Sequence, residues 1–182
     1  DIFNRFVLAD YDLLQTWEGF VYHMTCRGSR FKDGALRNPA GQVFMKGRES
    51  SEWLEQNLRS TRNFIRKWGH MVKHDAMMYP IIPPKYDIGF IVKNCDFKHM
   101  NELEPWCSTL YSEYTGVIES YIKHEQKNTA FDLSSKLKHN YSNDYDNDIL
   151  IEFDAEKLTA DNFQVIVNLS EMLKDSGEVG KM

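Results

Sequence analysis

The run Asp87-Ile-Gly-Phe-Ile-Val-Lys-Asn94 is apolar across a strand's length and polar at both ends. Such a run is too short for a buried helix and reads as a buried strand. A second strand is expected near residues 109–112, inside EPWCSTLYSE, and a third at 148–153, where SNDYDNDILIEFD leaves a polar turn. Between and after them lie helical patterns, GVIESYIKHEQ over 116–126 and DNFQVIVNLSEMLKDSG opened by Asp161 and closed by Gly177. Strands alternating with helices predict a small α/β layer domain over residues 84–182. The sequence stops at GEVGKM, just past that helix, where an α/β unit would supply another strand. The domain is therefore expected to be truncated at its C-terminus.

Upstream, YPIIPPKYD carries three of the five prolines and is the expected domain boundary. Before it, RESSEWLEQNLRSTRNFIRKWG predicts a helix from about Ser51 to Trp68. Ser50 or Ser51 can cap it, acids fill its first turn, bases fill its last, and Gly69 stops it. Arg59, Arg62, Arg66 and Lys67 gather toward its C-terminal end, where cations favour the helix dipole. Residues 2–8 suit a helix end, 11–16 and 19–23 suit two short strands, and 24–48 read as a long loop broken by four glycines and a proline. DIFNRFVLAD opens as though inside an element already under way, so the chain is expected to be a portion of something longer.

Charge is unevenly placed. Residues 23–74 hold 11 Lys/Arg against 4 Asp/Glu, whereas residues 75–182 hold 10 against 19, within a net charge of -5. A basic segment in an acidic chain points to a local anion partner more than to general nucleic-acid binding. Three cysteines, Cys26, Cys95 and Cys107, at unmatched spacings fit a reducing compartment and neither a disulfide framework nor a zinc knuckle. No apolar run approaches the roughly 20 residues of a membrane span.

The densest chemistry lies in GFVYHMTCRGSRF, residues 19–31. His23 closes a strand-like run, where a ring nitrogen can meet a divalent ion if carboxylates lie near, or make one ordinary hydrogen bond. Arg27, Gly28, Ser29 and Arg30 then form a compact turn. Its two forked donors, hydroxyl and glycine suit a pyrophosphate, and they equally suit a basic surface turn.

These residues, with their neighbours, resemble a known family. From Asp1 to Gly69 the chain is similar to the C-terminal part of the catalytic domain of inverting family 2 glycosyltransferases, which have the GT-A fold. In many members a Glu-Asp-x-Asp motif opens a helix and an arginine follows its last Asp by four. A Val-x-His then ends a strand some eighteen residues after that arginine. Asp1, Arg5 and Val21-Tyr22-His23 match these offsets, while Asp10 stands near a common glycine. STRNFIRKWG resembles the family's Tyr-Phe-x-x-Lys-Trp-Gly helix ending, with Asn63 in the Tyr position and Phe64, Lys67, Trp68 and Gly69 in register. VYHMTCRGSRF is also similar to the His-Phe-x-x-x-Ser-Arg-Phe stretch of members from phages and large DNA viruses.

The resemblance implies that residues 1–79 are the C-terminal part of a transferase domain. It implies transfer of a sugar from a nucleotide-sugar donor to a hydroxyl acceptor, with Mn²⁺ or Mg²⁺ as cofactor. Asp1 would be the acceptor-side acid, His23 a metal ligand, and Arg27, Ser29 and Arg30 the donor-diphosphate contacts. The family's general base falls two positions before Asp1, and its Asp-x-Asp metal motif falls further upstream. The isolated chain is therefore expected to be inactive, its activity belonging to a parent protein in the cytoplasm, of a host cell if the parent is viral. Charge builds on the departing diphosphate, so a metal and arginines there favour the transition state.

Other features imply less. His70 and His74 are four apart, but Gly69 is expected to end the helix before them. Asp144, Asp146 and Asp148 lack the glycine and distal Glu of a calcium loop and read as a solvated turn. Glu104-Pro105-Trp106-Cys107 suggests no reaction, and Cys107 reads as a packed thiol. Two rival readings follow. In one, basic residues with Phe31, Trp53, Phe64 and Trp68 bind single-stranded nucleic acid. In the other, the chain is an assembly protein with a transferase remnant.

Overall fold

The computed structural model describes residues 1–14, 16, 18–19, 30–32, 35–37, 43–44, 51–140 and 145–177. The chain is mixed α/β and divides into two compact units, residues 1–61 and 62–182. The division falls inside a helix, and the proline-rich stretch at 79–87 lies within the second unit.

In the first unit, helix α1 spans Ile2–Leu8. It ends in a Schellman turn, with Tyr11 N–H donating to Phe6 C=O at 3.0 Å and Asp10 N–H to Val7 C=O at 3.1 Å. Asp10 takes the left-handed conformation, φ 59°, that this turn requires. The rings of Phe6 and Tyr11 meet edge to face at 5.8 Å, which is the apolar contact that accompanies such a turn. This corrects the strand expected at 11–16, because residues 11–14 and 16 are irregular. Tyr11 is drawn back onto the helix instead of pairing along a sheet.

The stretch expected as loop holds three short strands, β1 (Arg30–Lys32), β2 (Ala35–Arg37) and β3 (Val43–Phe44), in an antiparallel sheet of order β1-β2-β3. In β1 and β2, Arg30 pairs with Arg37, Phe31 with Leu36 and Lys32 with Ala35. Residues 20–23 lie outside the described residues.

Helix α2 spans Ser51–Trp68 as expected, and Gly69 ends it at φ 77°. Its first ten residues are mostly exposed, while Arg62, Ile65 and Arg66 are buried.

The second unit is built on a four-stranded sheet, β4 (Ile88–Lys93), β5 (Thr109–Ser112), β6 (Leu137–His139) and β7 (Ile149–Asp154). The order is β6-β5-β4-β7 and every neighbouring pair is parallel. Helices α3 (Phe97–Leu103) and α4 (Thr115–Glu125) form the crossovers from β4 to β5 and from β5 to β6, the second completed by α5 (Leu133–Lys136). After β7 come α6 (Ala160–Val167) and α7 (Leu169–Asp175).

The single helix expected from Asp161 to Gly177 is thus two. Thr159 caps α6 through a capping box with Asn162, which leaves Asp161 in the first turn. The break falls at Asn168, whose side-chain amide donates back to Gln164 C=O at 2.8 Å.

Alternation sorts the strands into two faces. Ile88, Phe90, Val92, Leu110 and Leu137 join Met100, Leu103, Ile118, Tyr121, Leu133, Ile166 and the α2 residue Ile65 in one core. On the other face Asn147 lies across Gly89. It accepts from Tyr111 Oη at 3.0 Å and donates to Asp87 Oδ1 at 2.7 Å. A Cβ on Gly89 would stand 2.5 Å from Asn147 Oδ1, so the close approach depends on glycine. Among the described residues, no helix is long and apolar enough to cross a membrane.

Candidate functional site

The residues singled out in the sequence belong to the first unit. Asp1 occupies the N-cap position of α1 and is exposed, and its side chain does not cap the helix. Arg5 lies four residues on, in the last turn. Arg30 opens β1 opposite Arg37. His23, Arg27 and Ser29 lie outside the described residues. Among the described residues, no group of three or more His, Cys, Asp or Glu stands together as a metal site would require.

The downstream candidates separate from one another. His70 is buried at 2% exposure with Nδ1 2.6 Å from Met71 C=O, whereas His74 is exposed with Nδ1 2.9 Å from Asp75 C=O. Asp146 is exposed and its carboxylate lies 3.6 Å from Lys138 Nζ, as a solvated turn residue would. Cys95 and Cys107 are buried free thiols, each pushed up to about 12 chiefly by that burial, and so are inert packing groups.

The strongest polar constellation was not expected from the sequence. Within the second unit, Arg62 and Arg66 of α2 meet Glu104, which follows α3, and Glu125, which ends α4. Arg62 forks onto both oxygens of Glu125, Nε to Oε1 at 2.8 Å and Nη2 to Oε2 at 2.9 Å. Arg66 Nη2 donates to Glu104 Oε2 at 2.7 Å and to Glu125 Oε1 at 2.8 Å. Lys136 Nζ lies 2.7 Å from the other oxygen of Glu104, and Tyr121 Oη donates to Glu104 Oε2 at 3.0 Å. Glu104, Glu125 and the Arg66 side chain are fully buried.

Burial alone would push both carboxyls up. For Glu125, hydrogen bonds from Arg62, Arg66 and Asn128 outweigh it and hold the group at about 2. For Glu104, the charge of Lys136 and the bonds from Arg66 hold it below the usual carboxylate range. The same contacts raise Arg66 against its own burial. Both carboxyls and Arg66 are held in their charged forms and each is committed to another, so the cluster fastens the end of α2 to the sheet's helical layer. The legible signal was Arg62 and Arg66, one turn apart beside Ile65 on the buried side of the helix. Their place near the helix end accounts for them equally well as dipole partners, which hid it.

In an open parallel sheet, ligands favour the carboxyl ends of strands where the strand order reverses, here between β4 and β7. At that place Asn94 has φ 52°. Its side chain donates to Asp154 Oδ1 at 2.9 Å, and its backbone N–H donates to Glu113 Oε1 at 3.1 Å. These bonds stitch the ends of β4, β5 and β7 together.

Comparisons of the chain with protein-family models, with curated proteins and with solved structures each return no match.

Proposed function

We propose that residues 1–79 correspond to the C-terminal part of a GT-A-type catalytic domain of a metal-dependent, inverting glycosyltransferase. In this reading residues 84–182 form an accessory α/β domain. The observation that carries it is where the matching residues fall in the backbone. Lys67-Trp68-Gly69 is the end of α2, with Gly69 at φ 77°. Asp10, which departs from the family's glycine, holds the left-handed φ of 59° that glycine adopts readily. One match found by spacing thus coincides with a helix stop, and the departure at Asp10 keeps a left-handed turn.

In this reading Arg27, Ser29 and Arg30 bind the donor diphosphate, where forked guanidinium donors suit phosphate oxygens. Asp1 lies on the acceptor side, and His23 is the residue that would hold Mn²⁺ or Mg²⁺. The metal would counter charge on the leaving group when bound. The general base belongs to the parent protein, so the chain alone carries out no sugar transfer. Its setting would be the cytoplasm, or the host cytoplasm for a viral parent.

The test is a titration of the chain with UDP, GDP, CDP and ADP, each with and without Mn²⁺. Mn²⁺-dependent binding of at least one, weakened in His23→Ala, supports the reading. Binding of a single-stranded oligonucleotide that fades with salt, with no response to any diphosphate, would replace it with the nucleic-acid reading. Sugar transfer by the chain alone would contradict the assignment of the base to the parent.

A further inference from the structure

His70 is the one histidine of the second unit's interior whose burial the fold does not otherwise use. Its Nδ1 lies 2.6 Å from Met71 C=O, so Nδ1 carries the proton and Nε2 carries a bare lone pair. Nε2 is buried and meets no hydrogen-bond partner. The ring stands edge-on to Phe64 of α2, with centroids 6.0 Å apart at 85°. The backbone around it is held to α7 at two points. Ser170 Oγ donates to Gly69 C=O at 3.2 Å, and Lys73 Nζ lies 2.8 Å from Glu171 Oε2.

We propose that His70 is an acid-sensitive latch that keeps α7 docked while its ring is neutral and releases it when Nε2 gains a proton. The neutral ring fits because an aromatic edge-to-face contact asks nothing of Nε2. The protonated ring would bury a second N–H donor with no acceptor, together with a positive charge, beside Phe64. The charged groups facing the ring are Lys73 from its own segment and Glu171 from α7, and these two are already paired. Lys85 packs over Gly69 next door, but its ammonium is bonded to Arg66 C=O at 2.6 Å and Lys67 C=O at 3.3 Å. No carboxylate is left over to accept from Nε2 without giving up Lys73.

The sign follows directly. Burial depresses the folded-state pKa of His70 below the ordinary 6.5. The opened state therefore binds more protons than the closed one between about pH 6.5 and that depressed value. Docking of α7 is at full strength above that pH and weakens as pH falls from it toward the depressed value. Opening of α7 uncovers Leu169 and Leu173, which pack against the core, so acid would expose an apolar helix face.

The experiment is amide hydrogen exchange on the chain from pH 7.5 to 5.0, read as protection factors. Protection of 169–175 is expected to fall by up to tenfold per pH unit below about 6.5, while that of 88–93 and 109–112 stays level. His70→Asn keeps a donor for Met71 C=O and cannot titrate, so its profile for 169–175 should be flat. An equal fall in His70→Asn, or a flat wild-type profile, overturns the proposal. If that variant fails to fold, the wild-type ring decides by nitrogen NMR. A neutral Nδ1–H tautomer persisting below pH 6.5 supports the latch, and titration at the ordinary value of 6.5 refutes it.

Discussion

The two units divide the work between them. The first, residues 1–61, carries the residues with recognisable chemistry, yet its described side chains are largely turned outward: Phe3 is 61% exposed and Leu14 88%. The second, residues 62–182, has Phe90, Met100, Leu103, Leu110, Tyr121 and Leu133 at 0% exposure and a buried cluster of ion pairs at the end of α2. The packing that the structure describes is thus concentrated in the second unit. The division falls inside α2, whose last turns, with Arg62 and Arg66, belong to the second unit.

The largest effect is expected from where the chain is cut. A chain beginning at residue 84 retains Glu104 and Glu125 without either arginine, which leaves two buried carboxylates facing only Lys136, Tyr121 and Asn128. It should show no cooperative thermal transition, whereas a chain beginning at residue 51 should melt cooperatively. Cooperative melting of the shorter chain would place the boundary at the proline-rich stretch after all.

A smaller perturbation acts at one residue. Arg66→Met removes the cation shared by Glu104 and Glu125 and should cost about 3–5 kcal/mol in urea unfolding, since breaking a buried ion pair from one side strands the other. A cost below about 1 kcal/mol would mean that water reaches the cluster. Smaller again is Gly89→Ala on the opposite face of the sheet. The added Cβ must displace Asn147, and overpacking of this kind costs about 1–3 kcal/mol. An unchanged midpoint would show that the Asn147 cover yields freely.

Much of the second unit was legible because its signals are local. β4, β5, α4 and β7 fall within a residue or two of where apolar runs and turn residues place them. Helix α3 went unseen, although Asp96 caps it by accepting from His99 N–H at 2.8 Å, because FKHMNEL has too few apolar positions to show a period. The split at Asn168 was hidden for the opposite reason, since apolar residues run through it at helical spacing on both sides.

The candidate site was legible only as sequence offsets. Asp1, Arg5 and His23 draw meaning from a resemblance, and the structure adds only the left-handed backbone at Asp10 and Gly69. The buried cluster lay beyond the sequence because it depends on tertiary contact. Glu104 and Glu125 are separated from Arg66 by 38 and 59 residues, and only the packed sheet brings them within 3 Å.

In the proposed function the diphosphate-binding arginines lie in the first unit, outside the packed sheet of the second. The most direct test is a paired measurement on the double variant Arg27→Ala/Arg30→Ala: melting temperature, and affinity for whichever nucleoside diphosphate the chain binds with Mn²⁺. If the two arginines serve the diphosphate and not the fold, the melting temperature stays within about 1 °C of the wild type, as a change of about ±0.5 kcal/mol or less gives. The account predicts affinity weakened by about tenfold or more, as loss of charge-assisted hydrogen bonds worth about 1.5–3 kcal/mol requires. Unchanged affinity, or a loss of affinity that comes only with a lowered melting temperature, would contradict it.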